Sequence, residues 1–209
     1  MKHVFSFVLL LSLAVVARAA DKVPFTVTGL YTETCACSVP CKCDLTGEVP
    51  SSCIGVGAFK LTAGNFAGAD LTGVSIAYAG KPGEWIRIYI DAPDMMHRAA
   101  AEKLARAAFA PWGTMEAIKD AKIDIAGTYG AYTVTVDGGK IMKYTSAPVL
   151  GGDGKTALSI GNVLNPLTSV FLQGKSTEPT VYRDDSRSIE LPGGRNAFFN
   201  DKMMTSGQL

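Results

Sequence analysis

Residues 24–31, PFTVTGLY, alternate apolar and polar side chains, the period of a strand with one buried face. Three more strand-like runs follow, IGVGAFKL at 54–61, GVSIAYAG at 73–80 and EWIRIYID at 84–91, separated by joints rich in Gly and Asp. The period then changes. From Ala92 to Ala110 strong helix formers dominate, with Asp91 placed as N-cap, Pro93 in the first turn and Asp94 near the positive end. Glu102 stands four residues from both Arg98 and Arg106, which marks a solvated side, while Met96, Ala100, Leu104 and Ala108 form the stripe expected to face a core. Pro111 and Gly113 end this helix, and a short helical turn is expected over Thr114 to Lys119.

Strand patterns return at 122–130 and 131–137, and Gly138-Gly139 signals a hairpin into 140–149. Residues 154–162 and 179–191 continue the series, and GGRNAFFNDKMMTSGQL closes the chain. The pattern predicts an α+β fold, a β-rich antiparallel single domain (a sandwich or half-barrel) with one main α-helix. No internal repeat or linker interrupts it.

The first residues belong to a different class. A basic start at Lys2, an apolar run from Val4 to Ala17 and the small-residue pattern Ala17-Arg18-Ala19 read as a secretory signal peptide at 1–19, which leaves 20–209 as the domain. The apolar run is short for a membrane span, so no membrane insertion is expected after cleavage, and the location expected is periplasmic or secreted. Removal of Lys2 and Arg18 takes the formal charge from +1 to −1, which leaves no electrostatic footprint for nucleic acid.

Export makes the cysteines informative. Of five in the chain, Cys35, Cys37, Cys41 and Cys43 fall within nine residues, ETCACSVPCKCDL, and Cys53 follows. In an extended segment Cys35 and Cys37 point the same way, as do Cys41 and Cys43, and a turn at Ser38-Val39-Pro40 would set the two pairs facing each other as a clamp. Thiolates are soft ligands that select Cu(I), zinc or iron–sulfur clusters. The C-x-C spacing is tighter than that of structural zinc sites and suits a soft ion of low coordination number, Cu(I) first and zinc second. Lys42 between two cysteines favours the thiolate form, and Glu33 and Asp44 flank the cluster.

Two other readings stay open. An oxidising compartment favours a disulfide-stapled binding module, although five is an odd number and sequence does not choose the pairing. A thiol–disulfide redox role lacks the usual C-x-x-C spacing. Additional soft ligands are available in Met95, Met96 and His97, the one histidine after residue 19, and in Met203 and Met204 near the end. No phosphate-binding or dinucleotide-binding glycine pattern survives inspection, and Asp184-Asp185 reads as a solvated turn. The expected role is sequestration or delivery of copper without catalysis, with a copper-delivery protein or a membrane copper transporter as partner.

The segment GLYTETCACSVPCKCDL, the fifth cysteine at Cys53 and the closing GGRNAFFN together resemble a bacterial family known as domain of unknown function 1326. The resemblance spans nearly all of residues 20–209. It implies that the five cysteines are the shared feature, and it implies no reaction. The export signal and the Met203-Met204 pair, where an aromatic often stands, depart from the family pattern.

Overall fold

Antiparallel pairing of neighbouring strands organises the chain in the computed structural model, which describes residues 22–165 and 167–209. The expected signal peptide at 1–19 lies outside the described residues. In chain order the elements are β1 (Pro24–Cys35), α1 (Lys42–Thr46), β2 (Gly55–Phe66), β3 (Ala69–Asp70), β4 (Ser75–Lys81), β5 (Trp85–Asp91), α2 (Met95–Phe109) and β6 (Thr114–Asp120). The second half is strand apart from a short 3-10 turn at Asp137–Gly139: β7 (Ile123–Thr128), β8 (Ala131–Val136), β9 (Met142–Pro148), β10 (Ser159–Asn165), β11 (Thr168–Ser176), β12 (Thr180–Asp184), β13 (Arg187–Leu191) and β14 (Asn196–Gln208). The order across the sheet is β13-β12-β9-β11-β14-β1-β2-β4-β5-β6, with the β7–β8 hairpin continuing from β9. The pairing of β5 with β6 is parallel, with α2 as the crossover between them. This is the expected α+β class, with α2 its one long helix.

The central strands are covered on both faces, and side-chain alternation divides them cleanly. Phe59 and Leu61 on β2, Ile76 and Tyr78 on β4, and Ile86, Ile88 and Ile90 on β5 pack with Ala100, Ala101, Leu104, Ala105, Ala108 and Phe109 of α2. Their sequence neighbours Val56, Ala58, Ala77, Ala79, Trp85 and Tyr89 face the other way, onto Val134, Val136, Met142, Tyr144 and Tyr182 of the second layer. Burial on both sides explains why β4 and β5 read as nearly continuous apolar runs.

Several local expectations need correction. The helix is capped by Asp94, whose side chain accepts hydrogen bonds from the backbone N–H of Met96 (2.8 Å) and His97 (2.9 Å). Asp91, the expected cap, instead accepts from the Ile123 N–H at 3.0 Å and pairs with Lys122. The helix therefore starts a turn later, its buried stripe begins at Ala100, and Met96 is 82% exposed. Thr114–Asp120 is a strand, since the open edge of β5 supplies backbone partners that outweigh local helical preference. Asp184 is no solvated turn. It is mostly buried, bonded to Lys119 Nζ at 2.8 Å and accepting from the Tyr89 hydroxyl at 2.7 Å, with Arg87 beside it. The pairing of Glu102 with Arg98 and Arg106 is present as expected. No helix among the described residues is long and apolar enough to cross a membrane.

Leu104 is fully buried between α2 and the central sheet. Replacing it with Ala leaves a cavity in that layer and is expected to lower unfolding stability by about 2–5 kcal/mol. Chemical denaturation with unchanged far-ultraviolet dichroism at zero denaturant measures this.

Candidate metal centre

The strand β1 carries the first cysteine to its place. Tyr31, Glu33 and Cys35 alternate onto the face shared with α2, while Thr32 and Thr34 turn to the opposite side. Cys35 is the last residue of β1 and is buried. Beyond it the peptide bends over residues 36–40, and α1 then begins with Cys41 at its N-cap. Gly47 ends α1 in the left-handed conformation (φ 73°), its N–H donating to Cys43 O, a geometry that glycine adopts without strain. The chain returns to the sheet through Cys53 and β2.

Three long-range hydrogen bonds fasten this segment to the sheet. Ala36 N–H donates to Ile54 O at 2.8 Å, Asn196 N–H donates to Cys37 O at 3.0 Å, and Arg195 Nη1 donates to Ala36 O at 3.3 Å. Asn196 is fully buried; its side-chain amide lies 3.7 Å from Cys35 Sγ as a donor, and its Oδ1 accepts from Gln173 Nε2 at 2.8 Å. The closing GGRNAFFN segment thus packs directly against the cysteine segment.

The five sulfurs converge, and none is joined to another. They form two groups, Cys35–Cys37–Cys41 and Cys37–Cys43–Cys53, with all three Sγ atoms of each group within 4.8 Å of one another. Cys37 belongs to both, and its sulfur is 3.7 Å from that of Cys43, far beyond a covalent S–S bond. This revises the expected clamp of two extended arms. Cys41 and Cys43 sit in a helical turn, where residues two apart point to nearly opposite sides, so Cys41 joins the first group and Cys43 the second. Cys53 completes the second group.

Proton sharing within the cluster polarises it. The Cys35 thiol hydrogen-bonds Cys37 and Cys41, which together with burial holds its own proton firmly. The same contacts draw Cys37 below the ordinary thiol range and Cys41 down to about 5. Burial raises Cys43, and burial with the nearby Cys37 charge pushes Cys53 up to about 12. The downward shifts at Cys37 and Cys41 favour thiolate, the form that ligates soft metals.

A cleft of about 820 Å³ opens beside the sulfurs, lined among others by Glu33, Cys41, Cys53, Tyr78, Trp85 and Trp112. Glu33 accepts hydrogen bonds from the hydroxyls of Tyr31 and Tyr78, the latter at 2.6 Å, and the two hydroxyls are 2.9 Å apart. Both phenols are held far above their usual pKa, by burial first and by the Glu33 charge second, so they act as donors. Tyr78 on β4 reaches across β2 to Glu33 on β1 because the intervening residue in register is Gly57. A Cβ at position 57 would lie 2.5 Å from the Tyr78 ring. Glu33 was visible as a flanking acid, but its two phenolic donors lie in the sequence without any local signal. The side chain of Asp44 lies outside the described set.

The additional soft ligands are not brought to this place. Met203 is buried opposite Gly29 on β1, six residues or about 20 Å along the strand from Cys35. Met204 and Met95 are exposed at the surface, as is Met96. His97 contacts Asp94 and Asp70, and Asp70 lies in register, through Asn65, with Thr26 at the far end of β1 from Cys35.

No family model and no curated protein matches the chain. Among solved structures, an acetoacetate decarboxylase is 11% identical over 89% of this chain and 89% of its own, with a TM-score of 0.36. An acetoacetate decarboxylase-like enzyme from Sphingomonas wittichii RW1 is 10% identical over 91% and 94%, with a TM-score of 0.32. Likenesses this slight carry no argument about the site. The fold and the site define a β-rich protein with a cysteine cluster positioned to hold a metal.

In the reduced, metal-free protein, thiolate ultraviolet absorbance is expected to lose one step near pH 5 on acidification, a step that disappears in Cys41→Ser. A single wave at the ordinary thiol value of about 8.5 would contradict the proton sharing.

Proposed function

We propose that this protein binds a soft metal, Cu(I) before zinc, through its five cysteines and serves in sequestration or delivery. The observation that carries this reading is the pair of sulfur triads, each with three free thiols within 4.8 Å. Among the described residues the groups that could hold an ion at the cluster are sulfurs alone, and such donors favour a soft, low-coordinate ion over a hard one. The lowered thiol pKa of Cys37 and Cys41 reduces the proton cost of binding. A bound ion would also keep the thiols from oxidising in an exported setting, which accords with the leader-like residues at 1–19 and a periplasmic or secreted location. The adjoining cleft exposes one side of the cluster to a delivery protein or a copper transporter. Membership of the five-cysteine family is part of the same proposal, resting on the spacing from Cys35 to Cys53 and on the packing of GGRNAFFN against it.

Anaerobic purification followed by thiol counting and native mass spectrometry tests this. Five titratable thiols after metal removal, with copper recovered from the native protein, are expected. Stable cysteine couples and no Cu(I) uptake after reduction would instead establish the disulfide-stapled module. Asn196→Ala removes the donor to Cys35 and is expected to weaken Cu(I) affinity about tenfold while all five thiols remain, read by competition with a chromogenic Cu(I) chelator.

A further inference from the structure

Resting on the metal reading above, we propose that the cluster holds two monovalent soft ions rather than one, joined through a bridging Cys37 thiolate. Metal–thiolate bonds of about 2.3 Å place three sulfurs of a trigonal site roughly 4.0 Å apart. Each of the two triads has that scale, with its sulfurs within 4.8 Å of one another and Cys37 and Cys43 at 3.7 Å. Among the described residues no four sulfurs share that mutual proximity, so a tetrahedral all-sulfur site does not form from the observed arrangement. Five sulfurs around a single ion are excluded for the same reason.

The bond count closes for two trigonal ions. They require six metal–sulfur bonds, and five thiolates supply six when one of them bridges. Cys37 is the residue common to both triads. Two tetrahedral zinc ions would require eight bonds and so need ligands from outside the cluster. Placement agrees with this division. Cys35 and Cys41 of the inner triad are buried at the end of β1 and the start of α1, Cys43 and Cys53 of the outer triad are half-buried, and all four line the cleft. Binding is an exchange: each entering cation displaces thiol protons to solvent, and no electron is transferred. The ion between the half-buried sulfurs is the one a partner reaches first, and the ion between the buried ones is retained.

Titration of the reduced protein with Cu(I) itself, under anaerobic conditions against a chromogenic chelator, reads the stoichiometry. Wild type is expected to take two equivalents and to show metal–metal scattering in X-ray absorption. Cys53→Ser, a change at a half-buried loop position, is expected to take one equivalent with that scattering lost and the circular dichroism unchanged. Cys37→Ser breaks both triads and is expected to weaken both equivalents at least tenfold. Saturation of wild type at one equivalent would overturn the two-ion site while leaving Cu(I) binding intact, as would two equivalents retained by Cys53→Ser. Absence of any Cu(I) uptake would overturn the metal reading itself.

Discussion

The cysteine segment keeps its shape because it is fastened at both ends to strands that are themselves buried on two faces. Ala36 bonds to the residue before β2, and Cys37 is held by the first residue of β14. Ordering a loop of this length costs conformational entropy of about 1–2 kcal/mol per residue, and three isolated hydrogen bonds do not offset it. What offsets it is the prior rigidity of β1, β2 and β14, whose side chains fill two cores at once. The sulfurs converge on a frame held by the two cores of the sheet.

Within that frame the chemistry is divided by burial. Cys35, the deepest thiol of the inner triad together with Cys41, retains a proton and shares it with its neighbours, so negative charge collects on Cys37 and Cys41. The cleft side adds a second polar device, the Glu33 carboxylate held by two buried phenols. Gly57 makes this possible, since any side chain there would occupy the space of the Tyr78 ring. A carboxylate and a sulfur cluster on neighbouring positions of one strand face line the cleft together, with Tyr78 and Trp112 packed beside them. Such an arrangement is preorganised by the sheet instead of by the loop alone.

Much of the architecture was legible locally. The strand runs at 24–31, 54–61, 73–80 and 84–91 lie within or across β1, β2, β4 and β5: the start of β1 alternates because one of its faces is exposed, and β4 and β5 are nearly continuous apolar runs because both of theirs are buried. The errors share a cause. Thr114–Asp120 has a weak intrinsic preference and became a strand through the edge of β5. Met96 matched the helical stripe by spacing, but the stripe meets the sheet only from Ala100 onward, since Asp94 starts the helix a turn later than Asp91 would. Met203 reads in the sequence as an additional soft ligand near the end and is instead a fully buried core residue, because β14 runs the length of β1.

That Cys35, Cys37, Cys41 and Cys43 would meet was decided by covalent spacing, since nine residues with a turn between them cannot carry thiols far apart. How they meet was not. The helical turn at Cys41–Cys43, the arrival of Cys53 and the division into two triads depend on where β1 ends, where β2 begins and what β14 lays against them. Those are contacts between residues up to 161 positions apart, and no local pattern of polarity encodes such a distance.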